Sequence, residues 1–349
     1  MSAAYVGSCL REYVRYSDTV AVLLAVRQLL LKNPNVARFV GIEYRLKNTK
    51  GNFVRPDLVA QCEENTKGIL FEVKWSLPFD SNLLTKELME LKKYSNSLTN
   101  WKTRNGQVEQ HDIILICYID DAKRAVDSVK QLSTSKDYAF MQKNGFSIWG
   151  WILNPAKKDR HREELRFLHC YGQTGNKELE NMIHQTGGIV VSQDVLTYLR
   201  FTFAFLPEKP PIQYTITILV QNVFPSFQRS VEKEFYELDI DLIYDRTKSF
   251  FPSWHKFDAE TIQTKRRWIV EAIEKMCDLG LAERVVESPN RWSIPIPTLH
   301  PRGSIQESIC KKISKKAMKR RYRGRPPRLR VPKAFRRKPP KDQARINQF

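Results

Sequence analysis

The sequence predicts an α/β fold: a mixed sheet flanked by helices, then a smaller helical unit ending in a hairpin, then a basic tail. Three observations carry this. Apolar residues recur at helical spacing over 12–32 and 83–98, and short strand-like runs at 39–46, 54–61 and 68–75 lie between them. The run Ile113, Ile114, Leu115, Ile116, Cys117 is apolar at every position, as in a parallel strand buried on both faces.

The first helix places Val22, Val26, Leu29 and Leu30 on one side and stops at Asn33-Pro34, because proline disfavours helix at the residue before it. Phe39 to Leu46 reads as a strand, Lys47 to Asn52 as a polar turn with Gly51, Val54 to Gln61 as a second strand and Gly68 to Trp75 as a third. A helix with Leu84, Leu88, Leu91 and Leu98 follows. His111 to Ile119 is the buried strand, Asp120 to Leu132 a short helix and Phe146 to Leu153 a further strand, giving the order αβββαβαβ.

Between 154 and 211 the pattern weakens. Arg166 to Tyr171 and Gly188 to Ser192 read as strands, while Asp194 to Phe205 fits either helix or strand. The proline cluster from Pro207 to Pro211 marks a boundary. Ile212 to Val223 then reads as a helix ahead of Pro225. Asp258 is placed to cap a long helix with the stripe Ile262, Ile269, Ile273 and Met276, which Gly280 ends. Leu281 to Val286 and Arg291 to Ile296 form a hairpin across Ser288-Pro289-Asn290, and a long helix followed by such a wing is the pattern of a winged helix-turn-helix. The chain therefore divides into 1–155, a connecting region 156–210 of open structure, a winged-helix-like unit 211–300 and a basic tail 301–349, which reads as disordered because its apolar periodicity collapses.

The formal charge is +20, and residues 311–349 hold 17 Lys and Arg against the single acid Asp342, leaving +4 for residues 1–310. A dense polycation releases counterions from a phosphate backbone, so DNA is the expected partner. An acidic membrane competes for the same charge, but the tail lacks an amphipathic apolar face. The longest apolar run, Val20 to Val26 with Leu29 to Leu31 behind it, is too short to span a bilayer, and Arg11, Glu12 and Arg15 interrupt any leader-like core. The expected location is the cytoplasm, on the nucleoid, or the nucleus in a eukaryotic source. Six dispersed cysteines with no Cys-x-x-Cys read as reduced thiols, Cys62 and Cys117 as buried strand residues.

The chemistry concentrates at Arg55-Pro56-Asp57, read as closing the second strand, and at Glu72-Val73-Lys74 on the third. Alternation puts Glu72 and Lys74 on one face and Phe71 and Val73 on the other. Pairing of the two strands brings Asp57 alongside, so two carboxylates and an ammonium converge. Such a set suits Mg²⁺, with Mn²⁺ as the alternative ion: carboxylates hold the hard cation, and the lysine assists an attacking water and stabilises charge on phosphate. The bland alternative is a salt-bridged sheet face.

These residues resemble the PD-(D/E)xK nuclease superfamily, Pro56-Asp57 matching its PD and Glu72-Val73-Lys74 its (D/E)xK, over roughly residues 12–155. The resemblance implies a restriction-endonuclease-like αβββαβ core, a metal site at Asp57 and Glu72 and a catalytic Lys74. It also implies a further acid, for which Glu12, Asp18 and Glu43 compete. Glu90 and Tyr94 resemble a Gln-x-x-x-Tyr element with Glu in place of Gln, and Tyr94 reads better as packing. In the long helix Lys265, Arg266 and Arg267 are candidate DNA contacts, with Trp254 and Trp268 as core. Arg323-Gly324-Arg325-Pro326, with Arg328 beyond it, resembles an AT-hook, whose arginines enter a narrow A·T minor groove; a nuclear-import signal is the other reading. The expected function is a metal-dependent DNA endonuclease of restriction, phage defence, repair or transposon excision, cutting alone, as a homo-oligomer or with a partner protein held by the winged-helix-like unit. The alternatives are a non-catalytic DNA-binding protein that retains the nuclease fold and an RNA-directed nuclease.

Overall fold

In the computed structural model, which describes residues 2–323 except 63–66, 96–97, 100, 104–105, 133, 142–144, 157–158, 202–204, 228–234, 252–256, 286–289 and 296–303, the sheet is built behind one long helix. That helix, α1 (Ser2–Lys32), ends where the Asn33 amide donates to the Leu29 carbonyl at 2.8 Å, ahead of Pro34. β1 (Arg38–Ile42) follows, then a hairpin of β2 (Leu46–Lys47) and β3 (Phe53–Val54), so the anticipated second strand is split. β4 (Leu58–Cys62) and β5 (Lys67–Lys74) complete an antiparallel meander with β1.

α2 (Ser81–Glu90), capped by Asp80, continues as a 3₁₀ turn over Leu91–Tyr94 and stops well short of Leu98. A small ribbon of β6 (Lys102–Thr103) and β7 (Gly106–Gln107) precedes β8 (Gln110–Tyr118), α3 (Ile119–Leu132) and β9 (Phe146–Ala156). β8 pairs parallel with both β5 and β9, which accounts for its unbroken apolar run. The weakly patterned region is part of the same sheet: β10 (Asp159–Gln173) pairs with β9, α4 (Lys177–Ile183) follows, β11 (Ile189–Val191) adds to the edge, and α5 (Gln193–Phe201) is a helix. The seven-stranded order is β1-β4-β5-β8-β9-β10-β11.

α6 (Ile212–Ile218) runs into a π-turn over Leu219–Val223. β12 (Phe235–Asp239) and α7 (Ile240–Phe250) come next, both unmarked by the sequence reading. α8 (Ala259–Asp278) is capped by Asp258, whose carboxylate accepts the Thr261 N–H at 2.9 Å, and is closed by Gly280 at φ +66. β13 (Glu283–Arg284) and β14 (Arg291–Pro295) form the hairpin, with β12 as a third antiparallel strand.

Disorder throughout the basic tail is overturned for part of its length, because residues 305–323 form α9 (Ile305–Arg323). The reason lies in spacing that composition hides. Ile305, Ile309 and Ile313 recur every fourth residue among the lysines and pack into the core, with Cys310 and Ser314 also buried. Arg323 is the last residue of this helix, while Arg325 and Arg328 lie outside the described residues. All six cysteines are free, Cys62 and Cys117 buried as expected, and Cys9 of α1 lies with its Sγ 2.6 Å from that of Cys310.

α1 explains how these parts share one core. Residues 20–26 are buried on every side, as a helix with partners all round requires: the sheet lies on one side and α5, α6 and α9 on the other. No helix among the described residues is long and apolar enough to cross a membrane. Ile309→Ala should therefore cost about 2–5 kcal/mol, read as a lower urea midpoint. An unchanged midpoint for Ile309→Ala would show that α9 contributes nothing to the core.

Candidate active site

The β4–β5 register fixes the candidate residues. Leu58 pairs with Phe71 and Val59 with Leu70, so one further step sets Asp57 opposite Glu72. Phe71, Val73 and Leu58 enter the core on the α1 side, while Val59 and Leu70 enter the core on the α2 side. Alternation therefore puts Asp57, Glu72 and Lys74 together on the α2 face. All three are buried, at 3%, 5% and 6% exposure.

Each is held by named partners. Asp57 Oδ2 accepts the Val73 N–H at 2.5 Å, and its own carbonyl accepts the Glu43 N–H at 3.0 Å. Glu72 Oε2 accepts the Tyr94 hydroxyl at 2.9 Å, and its Oε1 lies 3.4 Å from Lys74 Nζ and 3.6 Å from Lys93 Nζ. Tyr94 is thus a ligand of the site's carboxylate as well as packing, which corrects the packing-only reading. Lys74 Nζ also donates to Glu208 and lies 3.9 Å from Glu87.

The electrostatics follow from burial and crowding. Burial, then the Glu72 carboxylate, pushes Asp57 well above the ordinary carboxylate range, against the pull of Lys74 and the Val73 N–H. Burial works against the charged form of Lys74, but Glu72, Glu208 and Asp57 outweigh it and hold the ammonium above the usual lysine value. Burial, then the Glu72 and Asp57 carboxylates, pushes the Tyr94 hydroxyl far up, so it remains a neutral donor. Glu87 is raised by burial too. Four carboxylates, Asp57, Glu72, Glu87 and Glu208, thus face the two ammonium groups of Lys74 and Lys93. Asp57 and Glu72 are buried oxygen donors of the kind a hard cation takes, but with Glu208 they do not close into one cluster: among the described residues only His169, Glu180 and His184 bring ligand atoms within 4.8 Å of one another.

The other sequence candidates separate. Glu43 is buried just after β1, at φ +49 in the left-handed region, and its carboxylate meets Lys265 Nζ at 3.2 Å. Asp18 is buried on α1, and Glu12 is exposed, accepting the Gln213 amide at 3.2 Å on the α6 side. Lys265 corrects an expectation. It is 2% exposed, bonded to Glu43 and to the Leu206 carbonyl at 3.3 Å, with Nζ 4.2 Å from the Trp268 ring centre, so it does not face DNA. Its position three residues after Ile262 and four before Ile269 puts it on the apolar stripe itself. Burial lowers Lys265 and raises Glu43, each effect tempered by the partner's charge. Arg266 pairs with Asp241 of α7, and Arg267 is exposed. Glu208 and Lys93 also belong to the group, although neither stands out in the sequence. Glu208 lies in a proline-rich segment with no periodicity to orient it, while Lys93 was signalled only by its neighbour Tyr94.

Beside this group opens a cleft of about 680 Å³ between the β2–β3 hairpin and α8, lined among others by Arg45, Phe53, Arg55, Lys93, Pro207 and Thr261. Phe53 is half-exposed, with the Arg45 guanidinium 3.4 Å over its ring, and Arg55 donates to Thr261 and Asp258. No protein-family model matches this chain, and neither a curated protein nor a solved structure does.

The buried Glu43–Lys265 pair gives a direct check on this geometry. Lys265→Met strands a carboxylate and should cost about 3–5 kcal/mol, while adding Glu43→Gln should restore most of that loss in urea unfolding. A Lys265→Met protein as stable as wild type would contradict the pairing.

Proposed function

We propose that the chain is a metal-dependent DNA endonuclease of the PD-(D/E)xK type, with Asp57, Glu72 and Lys74 as its catalytic group. The observation that carries this reading is the convergence of those residues from adjacent strands, buried, beside a cleft whose walls carry Arg45, Arg55, Lys93 and Lys265 together with the acids Glu43, Asp258 and Glu260. The order α1-β1-β4-β5-α2-β8 agrees with the αβββαβ core that the motif implies. The unit with α8 and the β12-β14-β13 sheet is compatible with a winged helix, in which the exposed Arg267 takes the DNA-contacting role and Lys265 a structural one. The cationic residues beyond α9 supply sequence-blind affinity.

Mg²⁺ or Mn²⁺ bound at the carboxylates would supply charge neutralisation at the phosphate and an acidified water. The chain's own groups do the rest. Asp57 and Glu72 are fixed by the Val73 N–H and the Tyr94 hydroxyl, so their oxygens need no reorganisation. Lys74, held protonated by its carboxylate neighbours, serves as a fixed positive charge towards the phosphate and as an orienting donor to the water rather than as a base. Phe53 with Arg45 above it offers a flat apolar and cationic surface to a nucleotide.

Incubation with supercoiled plasmid should give nicked and linear products that require Mg²⁺ or Mn²⁺ and disappear with Glu72→Gln, with single-stranded RNA left intact under the same conditions. Intact plasmid with retained DNA binding would instead establish a non-catalytic DNA-binding protein, and cleavage confined to RNA would replace the substrate.

A further inference from the structure

We infer that His169, Glu180 and His184 form a second metal site, for a zinc-class transition ion, on the opposite face of the sheet from the candidate active site. His169 comes from β10, Glu180 from α4, and His184 from the cap position of that helix. One ligand atom from each residue lies within 4.8 Å of the others. His169 follows Leu165 and Phe167 in strand alternation, which enter the core on the α1 side, as do Leu179 and Ile183 of α4. Glu72 and Lys74 belong to the α2 face, so the two groups are separated by the sheet.

The local structure aims the ligands. Glu180 and His184, four apart, share one side of α4, with Glu180 Oε2 3.0 Å from His184 Nε2. Ligands about 2.0–2.2 Å from a tetrahedral ion lie roughly 3.3–3.5 Å apart, so this pair needs to open by only a few tenths of an ångström. The remaining Glu180 oxygen, Oε1, accepts the Thr174 N–H at 2.6 Å, which leaves Oε2 for the ion. His169 Nε2 lies 2.7 Å from the Gly172 carbonyl. A carbonyl only accepts, so Nε2 carries the proton and Nδ1 keeps the lone pair that a metal takes. The strand is shaped for this contact. Its register slips between His169 and Tyr171, and Gly172 sits at φ +73, where a Cβ would fall 2.0 Å from the Phe146 carbonyl oxygen.

A plain His184–Glu180 ion pair explains two of these residues but not the third. The two imidazole rings lie 4.2 Å apart between centroids, which puts a second ring nitrogen beside the first, as an ion with nitrogen preference requires, and the ion would displace the proton through which His184 Nε2 bonds Glu180 Oε2. Two imidazoles and one carboxylate select zinc over magnesium, and His184, half-exposed, leaves a fourth position for water. The ion would join α4 to β10. That corner is already tied inward by the Gly175 N–H to Asp112 at 2.8 Å and the Asn176 amide to the Val36 carbonyl at 2.7 Å. Binding therefore stabilises the sheet edge that carries β11, independently of any nuclease activity.

The test is a titration of the full chain, stripped with a chelator, with Co²⁺ as a spectroscopic substitute. The expected result is one equivalent showing the intense d–d bands of a four-coordinate site with no thiolate charge-transfer band, distinct from any weakly absorbing Co²⁺ held at Asp57 and Glu72, and a rise in Tm when Zn²⁺ replaces Co²⁺. His184→Ala, at a half-exposed position, should weaken Co²⁺ binding by at least about tenfold and abolish the Tm rise. Glu180→Gln, which keeps an acceptor for Thr174, should weaken binding too, with circular dichroism verifying both folds. Asp57→Asn should change neither reading. Absence of binding, a thiolate-type spectrum, or equal affinity in His184→Ala and wild type would overturn the site.

Discussion

Where β4 and β5 meet, the fold buries charge and neutralises it with partners drawn from several segments. Asp57, Glu72 and Lys74 are each less than a tenth exposed. Burying even one ion costs several kcal/mol after relaxation, on the order of what a whole domain has to spare. The chain meets that cost with partners from distant segments: the Val73 N–H, the Tyr94 hydroxyl and Lys93 at the end of α2, and Glu208 beyond α5. The ends of two helical segments are therefore positioned by the demand of the same few oxygens and one ammonium.

The same principle docks the second unit. Glu43, whose N–H bonds Asp57, takes the buried Lys265 of α8, and Arg55, two residues before Asp57, bonds Asp258 and Thr261 at the start of that helix. The cleft is left where these contacts stop, between the β2–β3 hairpin and α8. On the other side of the sheet α1 is enclosed by α5, α6 and α9, so the first helix is interior and the last described helix completes its cover.

How much of this is legible in the sequence varies with the range of the interaction. Local signals read well: the Asn33-Pro34 stop, the Asp258 cap and Gly280 exit of α8, and the all-apolar run of β8 reflect chemistry within a few residues. The shared face of Glu72 and Lys74 follows from strand alternation alone. Asp57 joins them through one hairpin. Glu208 is not legible, because nothing in Pro207 to Pro211 indicates that the segment folds back on β5. Lys265 was misread because a basic triplet looks solvent-facing until its stripe is counted, and α9 because charge density obscured isoleucines four residues apart. β12 and α7 escaped notice because both are short and weakly patterned, and β12 finds its partner only in β14, more than fifty residues on.

As proposed, Asp57 and Lys74 play different chemical parts in one site. Single-turnover DNA cleavage measured across a Mg²⁺ titration separates them most directly. In the proposed nuclease, excess Mg²⁺ should partly restore Asp57→Asn, which would lose one metal-holding oxygen. Lys74→Ala should stay slow at every concentration, on the order of a hundredfold or more below wild type, because it loses charge stabilisation that metal does not replace. Wild-type rates from a folded Lys74→Ala protein would contradict it.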